Sequence, residues 1–299
     1  MELCIDLGGT EVKLAVTDAD RVLGSTTLPL DGMPDVLAGA AAGAHRLLHE
    51  LGASPDAVGI AVPGVVDPRT GLMLHANAKY DALRGFDLRS WSAAEFGMPA
   101  GVENDARAAL IGEVAAGSAA GERDAVLMTL GTGIGTAAMI DGVALRGRSG
   151  HAGILGGHVT VDLDGPACPC GNRGCGEALA SSWALRHDAT SSSDTAPRPD
   201  LRDVFARDEH RAIRDRFLQV WGTVATSLVH AYDPSVVVLS GGVLRAGAAV
   251  HAPIEAFVRD HLWSSVTMPR FIVPELPELS VARGLAVVAR TTHPEQEDL

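Results

Sequence analysis

Short apolar runs broken by glycine-rich turns open the chain. Leu3-Cys4-Ile5-Asp6-Leu7 is nearly continuous in apolar character, Gly8-Gly9-Thr10 interrupts it, and Val12-Lys13-Leu14-Ala15-Val16 resumes it. That pattern predicts strand, turn and strand, with a third strand over residues 21–28. Residues 34–52 take the spacing of a helix that ends at Gly52, and Ala57-Val58-Gly59-Ile60-Ala61-Val62 reads as a buried strand stopped by Pro63-Gly64. Gly101-Val102-Glu103-Asn104-Asp105 reads as a strand edge running into a strong helix former over 106–116. The second half starts again with a strand over 125–130, a turn Gly131-Thr132-Gly133-Ile134-Gly135-Thr136, and a short apolar run closed by Asp141-Gly142. Helix is predicted to begin over 177–182 and to run through 201–232, with a polar loop over 188–200 between them. Ser235-Val236-Val237-Val238-Leu239 is a β-branched strand ending in Ser240-Gly241-Gly242, and a helix over 279–290 precedes a polar tail.

The densest chemistry lies between Gly157 and Glu177. Three of the four cysteines, Cys168, Cys170 and Cys175, fall within eight residues, with His158 ten residues upstream of the first. Thiolates and an imidazole at this spacing suit a tetrahedral zinc site, structural because protein would fill all four positions. The competing readings are a disulfide or buried inert thiols. Cys168 and Cys170 are too close for an easy disulfide, and three cysteines leave one over.

Two turns of similar logic, Gly8-Gly9-Thr10 under Asp6 and Gly131-Thr132-Gly133-Ile134-Gly135, carry a second expectation. Residues without Cβ let backbone N–H groups approach a phosphate, and two such turns could grip one polyphosphate from both sides. Each can equally be a plain hairpin turn. The second is followed by a short apolar run rather than a helix, so it is not a dinucleotide fingerprint. Asp105 is either an N-cap or a carboxylate pointing into a cleft at a strand's carboxyl end, with Asn104 beside it. Asn77 is either a loop cap or a reader of ligand hydroxyls. The Gly241-Gly242 pair is a plain loop or a seat for base or ribose.

The totals narrow the classes. The chain has 299 residues, 46% of them apolar and only 4% aromatic, enough for two ordinary domains or one large one with an aliphatic core. Lys plus Arg number 24 against 37 Asp plus Glu, a net charge of −13, which argues against unaided binding to nucleic acid or an anionic membrane. No apolar stretch approaches a transmembrane length, no signal sequence precedes the first strand, and free cysteines with a zinc knot fit a reducing cytoplasm.

With those residues in hand the chain resembles the ROK family of bacterial sugar kinases and related regulators, over nearly its full length. The likeness rests on Asp6-x-Gly8-Gly9-Thr10, Pro63-Gly64, Glu103-Asn104-Asp105-Ala106, Leu130-Gly131-Thr132-Gly133-Ile134-Gly135, Gly157-His158, the run from Cys168 to Glu177, and Ser240-Gly241-Gly242. It implies an α/β, actin-like (ribonuclease-H-like) fold of two domains flanking a cleft. Residues 1–115 would form the smaller, with a helix at about 280–291 packed back on it, and 116–279 the larger, bearing the zinc motif. By the same resemblance ATP and Mg²⁺ would be bound by Asp6, Gly8, Gly9, Thr10, Thr132 and Gly133 at the phosphates and by Gly241 and Gly242 near adenosine. The sugar would be held by Gly64, Asn77, Asn104, Asp105, His158 and Glu177, with His158 also a zinc ligand beside Cys168, Cys170 and Cys175. Asp105 would be the catalytic base toward a sugar hydroxyl, O6 by expectation, and the protein a homodimer.

The chain departs from the family at one ligand position. Where many members carry a glutamate three residues before the histidine, reading hydroxyls on the C1–C2 side of the sugar, this chain has Leu155. That disfavours plain glucose and points to an amino or deoxy hexose, an N-acetylhexosamine, a kanosamine-type sugar or a related polyol. Arg107 stands where the family often has asparagine. The competing class is a sugar-sensing regulator, but the DNA-binding module of the family's repressors has no room before Asp6 and the charge is acidic. A sugar-binding protein without kinase activity is the second expectation, behind a kinase because Asp105 and both glycine turns are present.

Overall fold

The computed structural model describes residues 1–19, 21–33, 35–67, 70–76, 78–187 and 199–292. They form two compact units: Met1–Gly121 with Arg146–Ala152 and Glu275–Leu299, and Glu122–Leu145 with Gly153–Pro274.

The first unit is built on β1 (Glu2–Leu7), β2 (Glu11–Asp18), β3 (Arg21–Pro29), β4 (Ala57–Val62), the short hairpin of β5 (Gly64–Val66) and β6 (Met73–Ala76), and β7 (Ala100–Asn104). Its main sheet runs β3-β2-β1-β4-β7. β2 is antiparallel to β1 and β3, whereas β1, β4 and β7 are parallel. Every residue of β1, β4 and β7 is buried, as strands covered on both faces require, with the polar end of β7, Glu103 and Asn104, hydrogen-bonded. Helix α1 (Val36–Leu51) starts where the Asp35 carboxylate accepts from the N–H groups of Leu37 and Ala38. It ends at Gly52, whose φ of 59° is the left-handed cap conformation. Its buried stripe of Leu37, Ala40, Ala44 and Leu47 joins the aliphatic core of Leu3, Ile5, Leu7, Ile60 and Val62. Helices α2 (Leu88–Phe96) and α3 (Asp105–Ala116) flank β7 in sequence.

The second unit repeats the plan. β8 (Ala125–Leu130), β9 (Ile134–Ile140), β10 (Val143–Ala144), β11 (Val236–Ser240) and β12 (Arg270–Ile272) are ordered β10-β9-β8-β11-β12. β9 is again antiparallel to its neighbours, and β8, β11 and β12 are parallel. Its helices are α4 (Gly176–Leu179), α5 (Ser182–His187), α6 (Leu201–Ala206), α7 (Arg211–Tyr232) and α8 (Ala248–His261). The final helix, α9 (Ser280–Thr292), belongs to the first unit and lies along α3. There the backbones touch: a Cβ on Gly284 would fall 1.8 Å from the Ala108 carbonyl oxygen, and one on Gly112 would fall 2.0 Å from that of Ser280. Two α/β units, each a five-stranded mixed sheet in this order, make the actin-like fold the resemblance implies.

The predicted elements hold with three departures. The helix expected over 201–232 is broken: Arg207 is extended, and α6 folds back so that Phe205 stacks on the buried Trp221, ring centroids 5.7 Å apart. Stacking the partly buried Phe205 on the buried Trp221 outweighs continuing the helix. The helix expected over 177–182 is likewise two pieces, α4 and α5, parted at Ala180 and Ser181. The weakly patterned α2, α8 with Pro253 inside it, and the short strands β5, β6, β10 and β12 are additions, β6 taking His75 and Ala76 out of the expected loop. The polar loop expected at 188–200, except its last two residues, and the tail from 293 onward lie outside the described residues. No helix among those described is long and apolar enough to cross a membrane.

Candidate active site

In the first unit the parallel strands deliver the candidate residues to their carboxyl ends. β1 carries Asp6 and runs out into Gly8-Gly9-Thr10. Gly8 donates its N–H to the Glu11 carbonyl at 3.0 Å and accepts the Tyr80 hydroxyl at 2.7 Å. A Cβ on Gly8 would lie 2.7 Å from the Glu11 carbonyl oxygen, whereas one on Gly9 would meet nothing. β4 ends at the turn into Gly64, and β7 ends at Asn104, the N-cap of α3, with Asp105 its first helical residue.

Asn104 ties these ends together. Its side-chain oxygen caps α3 by accepting from Arg107 N–H at 3.1 Å. Its amide donates to the Gly64 carbonyl at 3.0 Å and to Asp105 Oδ1 at 2.9 Å. Asp105 Oδ1 also accepts from Ala106 N–H at 2.8 Å. One oxygen of the Asp105 carboxylate is thus fixed by two donors. Burial raises the Asp105 carboxyl above the ordinary aspartate range, against those hydrogen bonds and the charge of Lys13. Asn77 lies outside the described residues.

The cross-strand pair of Asp6 and Lys13 completes this set. Asp6 is buried, and desolvation, then the charge of Asp105, lifts its pKa from 3.8 to about 7, with Lys13 opposing. A folded pKa above the unfolded one means the folded state binds more protons between these values. Stability therefore falls as pH rises from about 4 to about 7, by up to ~4 kcal/mol. Denaturant unfolding of the ligand-free protein at pH 5 and pH 8 is expected to show that loss, with Asp6→Asn flattening it. Parallel pH profiles for the two proteins would exclude Asp6 as its source.

Behind Asp105, Glu103 faces the other way and forms a buried ion cluster. It accepts from Arg107 Nη1 at 2.6 Å and from Arg146 Nε and Nη2 at 3.0 and 2.7 Å. Arg107 Nη2 also donates to the carbonyls of Gly150 and Ala152, at 2.9 and 3.2 Å. Arg107, whose role the sequence leaves open, is 1% exposed and pins the 146–152 segment to the first unit.

In the second unit, Gly131-Thr132-Gly133 joins β8 to β9, and Gly131 N–H donates to the Gly133 carbonyl at 3.0 Å. Gly241, at φ 101°, lies against the end of β8: a Cβ there would fall 2.2 Å from the Leu130 carbonyl oxygen. The two glycine turns therefore sit side by side at one end of this sheet. Glu177 reaches the same place, its Oε2 accepting from Ile134 N–H at 2.8 Å.

The cysteine stretch folds as a compact knuckle. Thr160 bridges Cys175 and Ala167 bridges Arg173, and Cys168 N–H donates to the Asn172 carbonyl at 2.8 Å. Gly174, at φ 66°, lets the chain pass so tightly that a Cβ would fall 1.6 Å from the Asp162 carbonyl oxygen. One ligand atom from each of His158, Cys168, Cys170 and Cys175 lies within 4.8 Å of the others. Cys168 Sγ is 3.6 Å from His158 Nδ1, and the Cys170 and Cys175 sulfurs are 3.7 Å apart. That separation is far beyond a disulfide bond and matches the ~3.8 Å edge of a tetrahedron built on ~2.3 Å zinc–sulfur bonds. Burial pushes the Cys168 thiol up to about 12, so it is a neutral thiol at neutral pH, and a bound cation would displace that proton to take the thiolate as a ligand. The donor set fits zinc, and His158 keeps Nε2 for another partner.

Comparison with known proteins agrees with this geometry. Among curated relatives, a glucokinase of Thermotoga maritima is 30% identical, with 90% of this chain and 88% of that protein aligned. An N-acetylmannosamine kinase of Citrobacter koseri is 34% identical over 81% of this chain and 83% of its own. A xylose repressor of Bacillus subtilis is 27% identical over 82% and 64%. A solved ROK family glucokinase of Streptomyces griseus, in complex with glucose and AMPPNP, superposes with a TM-score of 0.80 at 27% identity, covering 97% of this chain and 99% of that one. The ROK family model matches residues 2–292, spanning both glycine turns, Asp105 and the cysteine knuckle, and the chain belongs to the ROK family.

Proposed function

We propose that this protein is an ATP-dependent sugar kinase that phosphorylates a hexose or a modified hexose, at O6, with Asp105 as the base. The observation that carries the reading is the Asp105 carboxylate: one oxygen is fixed by two donors, the group is held above its ordinary pKa, and it stands at a parallel strand's carboxyl end near a second buried carboxylate, Asp6. The glucose and AMPPNP held by the S. griseus relative support the substrate pair.

The chemistry follows from charge. Asp105 accepts the proton of the attacking sugar hydroxyl as that oxygen approaches the γ-phosphorus in line. The N–H groups of the Gly8-Gly9-Thr10 and Gly131-Thr132-Gly133 turns stabilise charge on the phosphoryl oxygens, and Gly241 and Gly242 lie near adenosine. Asp6, costly to ionise beside Asp105 without a cation, is the residue that would hold Mg²⁺, which would supply charge neutralisation at the phosphates. Gly64, Asn77, Asn104, His158 and Glu177 form the sugar's hydrogen-bonding surface, and zinc fixes the knuckle that carries His158. A homodimer is the assembly the family implies, and light scattering tests it.

Leu155 shapes the substrate. It is 44% exposed just before the short helix Gly156–His158 and offers no acceptor where the family's glutamate would read hydroxyls. A sugar hydroxyl buried against Leu155 without a partner would cost about 1–3 kcal/mol, roughly 5- to 150-fold in affinity. Leu155→Glu is therefore expected to lower the KM for glucose by about tenfold, read from initial rates. A variant no better with glucose than the wild type would remove residue 155 from sugar selection.

The whole reading is tested by ATP consumption across a panel of hexoses, amino sugars and N-acetylhexosamines. The likeness to xylose repressors supports a second reading, a sugar-binding regulator of the same family. Tight sugar binding without ATP turnover on any panel member would favour that one.

A further inference from the structure

We propose that Glu177 is a positioning residue for the phosphate turn Gly131–Ile134, so that the segment leaving the cysteine knuckle sets nucleotide affinity as well as contacting sugar. The inference rests on the kinase reading for its ligand, and on the second unit alone for its geometry.

Three bonds tie the turn to the chain that follows Cys175. Glu177 Oε2 accepts from Ile134 N–H at 2.8 Å. Ser182 N–H donates to the Gly131 carbonyl and Trp183 N–H to the Thr132 carbonyl, each at 3.0 Å. The carboxylate fills the space a side chain would need at the turn, because a Cβ on Gly133 would fall 2.2 Å from Glu177 Oε2. A side chain at Gly133 would therefore push this carboxylate off the turn. The break between α4 and α5 acquires a cause here. The two N–H groups at the start of α5 point to the turn carbonyls instead of continuing α4. Trp183 packs on Cys168, Cys175 and Ala178, so the same residue touches the knuckle with its ring and the turn with its backbone.

A bond from a backbone N–H to a carboxylate is among the stronger ones. With it made, the turn is held in one conformation before nucleotide arrives; without it, nucleotide must order the turn at the expense of its own affinity. A sugar contact would use the remaining carboxylate oxygen, so one side chain reports on both ligands.

The test measures AMPPNP affinity without sugar by titration calorimetry, and exchange of the Ile134 amide by NMR, in the zinc-bound protein. Glu177→Ala is expected to weaken AMPPNP about tenfold or more and to speed Ile134 exchange. Glu177→Gln keeps an acceptor oxygen and is expected to restore both to within about threefold of wild type, while Gly133→Ala, which displaces the carboxylate, should mimic the alanine variant. Unchanged Ile134 exchange and unchanged AMPPNP affinity in Glu177→Ala would overturn the proposal, as would failure of glutamine to rescue. If the wild type binds no AMPPNP, the kinase reading falls separately, and Ile134 exchange still decides whether Glu177 holds the turn.

Discussion

Asp105→Asn is expected to lower kcat by about 10²- to 10⁴-fold while sugar binding stays measurable. The substitution is close to isosteric, and the amide oxygen can keep the place of Oδ1, accepting from Ala106 N–H and the Asn104 amide as the carboxylate does now. The α3 terminus and its cap then survive, so the loss falls on proton acceptance rather than on folding. What disappears is a base raised by burial toward working pH, where a base is most useful to an attacking hydroxyl. Because the phosphoryl transition state is loose, positioning supplies much of the remaining acceleration, and residual turnover is expected rather than none. Its pH dependence separates the roles. Wild-type kcat should rise with pH as Asp105 loses its proton, and the limb should vanish in the Asn variant. Calorimetry with sugar and a coupled ADP assay measure the two halves, and an Asn variant within tenfold of wild-type kcat would exclude Asp105 as the base.

The candidate residues divide by how local their signal is. Asp6, Gly8 and Asp105 are legible because each stands beside its own strand end or turn, where a short run of sequence specifies the backbone. The cysteine knuckle is legible for the same reason: four ligands within eighteen residues need little help from the rest of the chain. Glu103 and Arg146, by contrast, are forty-three residues apart and meet only because 146–152 belongs to the first unit. Nothing in either neighbourhood announces that pairing, so Arg107, whose guanidinium joins Glu103 to the carbonyls of Gly150 and Ala152, has no role until the tertiary structure supplies its partners. Tyr80 on the Gly8 carbonyl is missed likewise. Helix ends fail for a related reason. Arg207 and Ala180 sit in runs with good helical character, and the breaks come from contacts the run does not contain: the Phe205–Trp221 stack in one case and the turn carbonyls of Gly131 and Thr132 in the other.

Removing the metal from the cysteine knuckle is expected to cost the protein about 4 kcal/mol or more, a fall in Tm of about 10 °C for a unit of this size. The segment from His158 to Cys175 has little apolar packing of its own. Cys168, Cys175, Ala178 and the half-buried Trp183 form one small cluster, and the remaining order comes from bridges at Thr160–Cys175 and Ala167–Arg173. A cation bound among three thiolates and an imidazole would make that geometry lower in energy than an open loop. The part of the second-unit core built by β8, α7, β11 and α8 forms a cluster apart from the knuckle's and should stay folded. The expected result is therefore partial: one zinc per chain by elemental analysis, lost on treatment with a chelator at acid pH, where the thiolates protonate and release it. A lower first unfolding transition and faster exchange confined to the knuckle and the turn it touches should accompany the loss. Cys175→Ser, at the most buried ligand, should reproduce this state without a chelator. A zinc-free protein with an unchanged Tm and unchanged exchange across 158–177 would mean that the sulfurs hold nothing the fold needs.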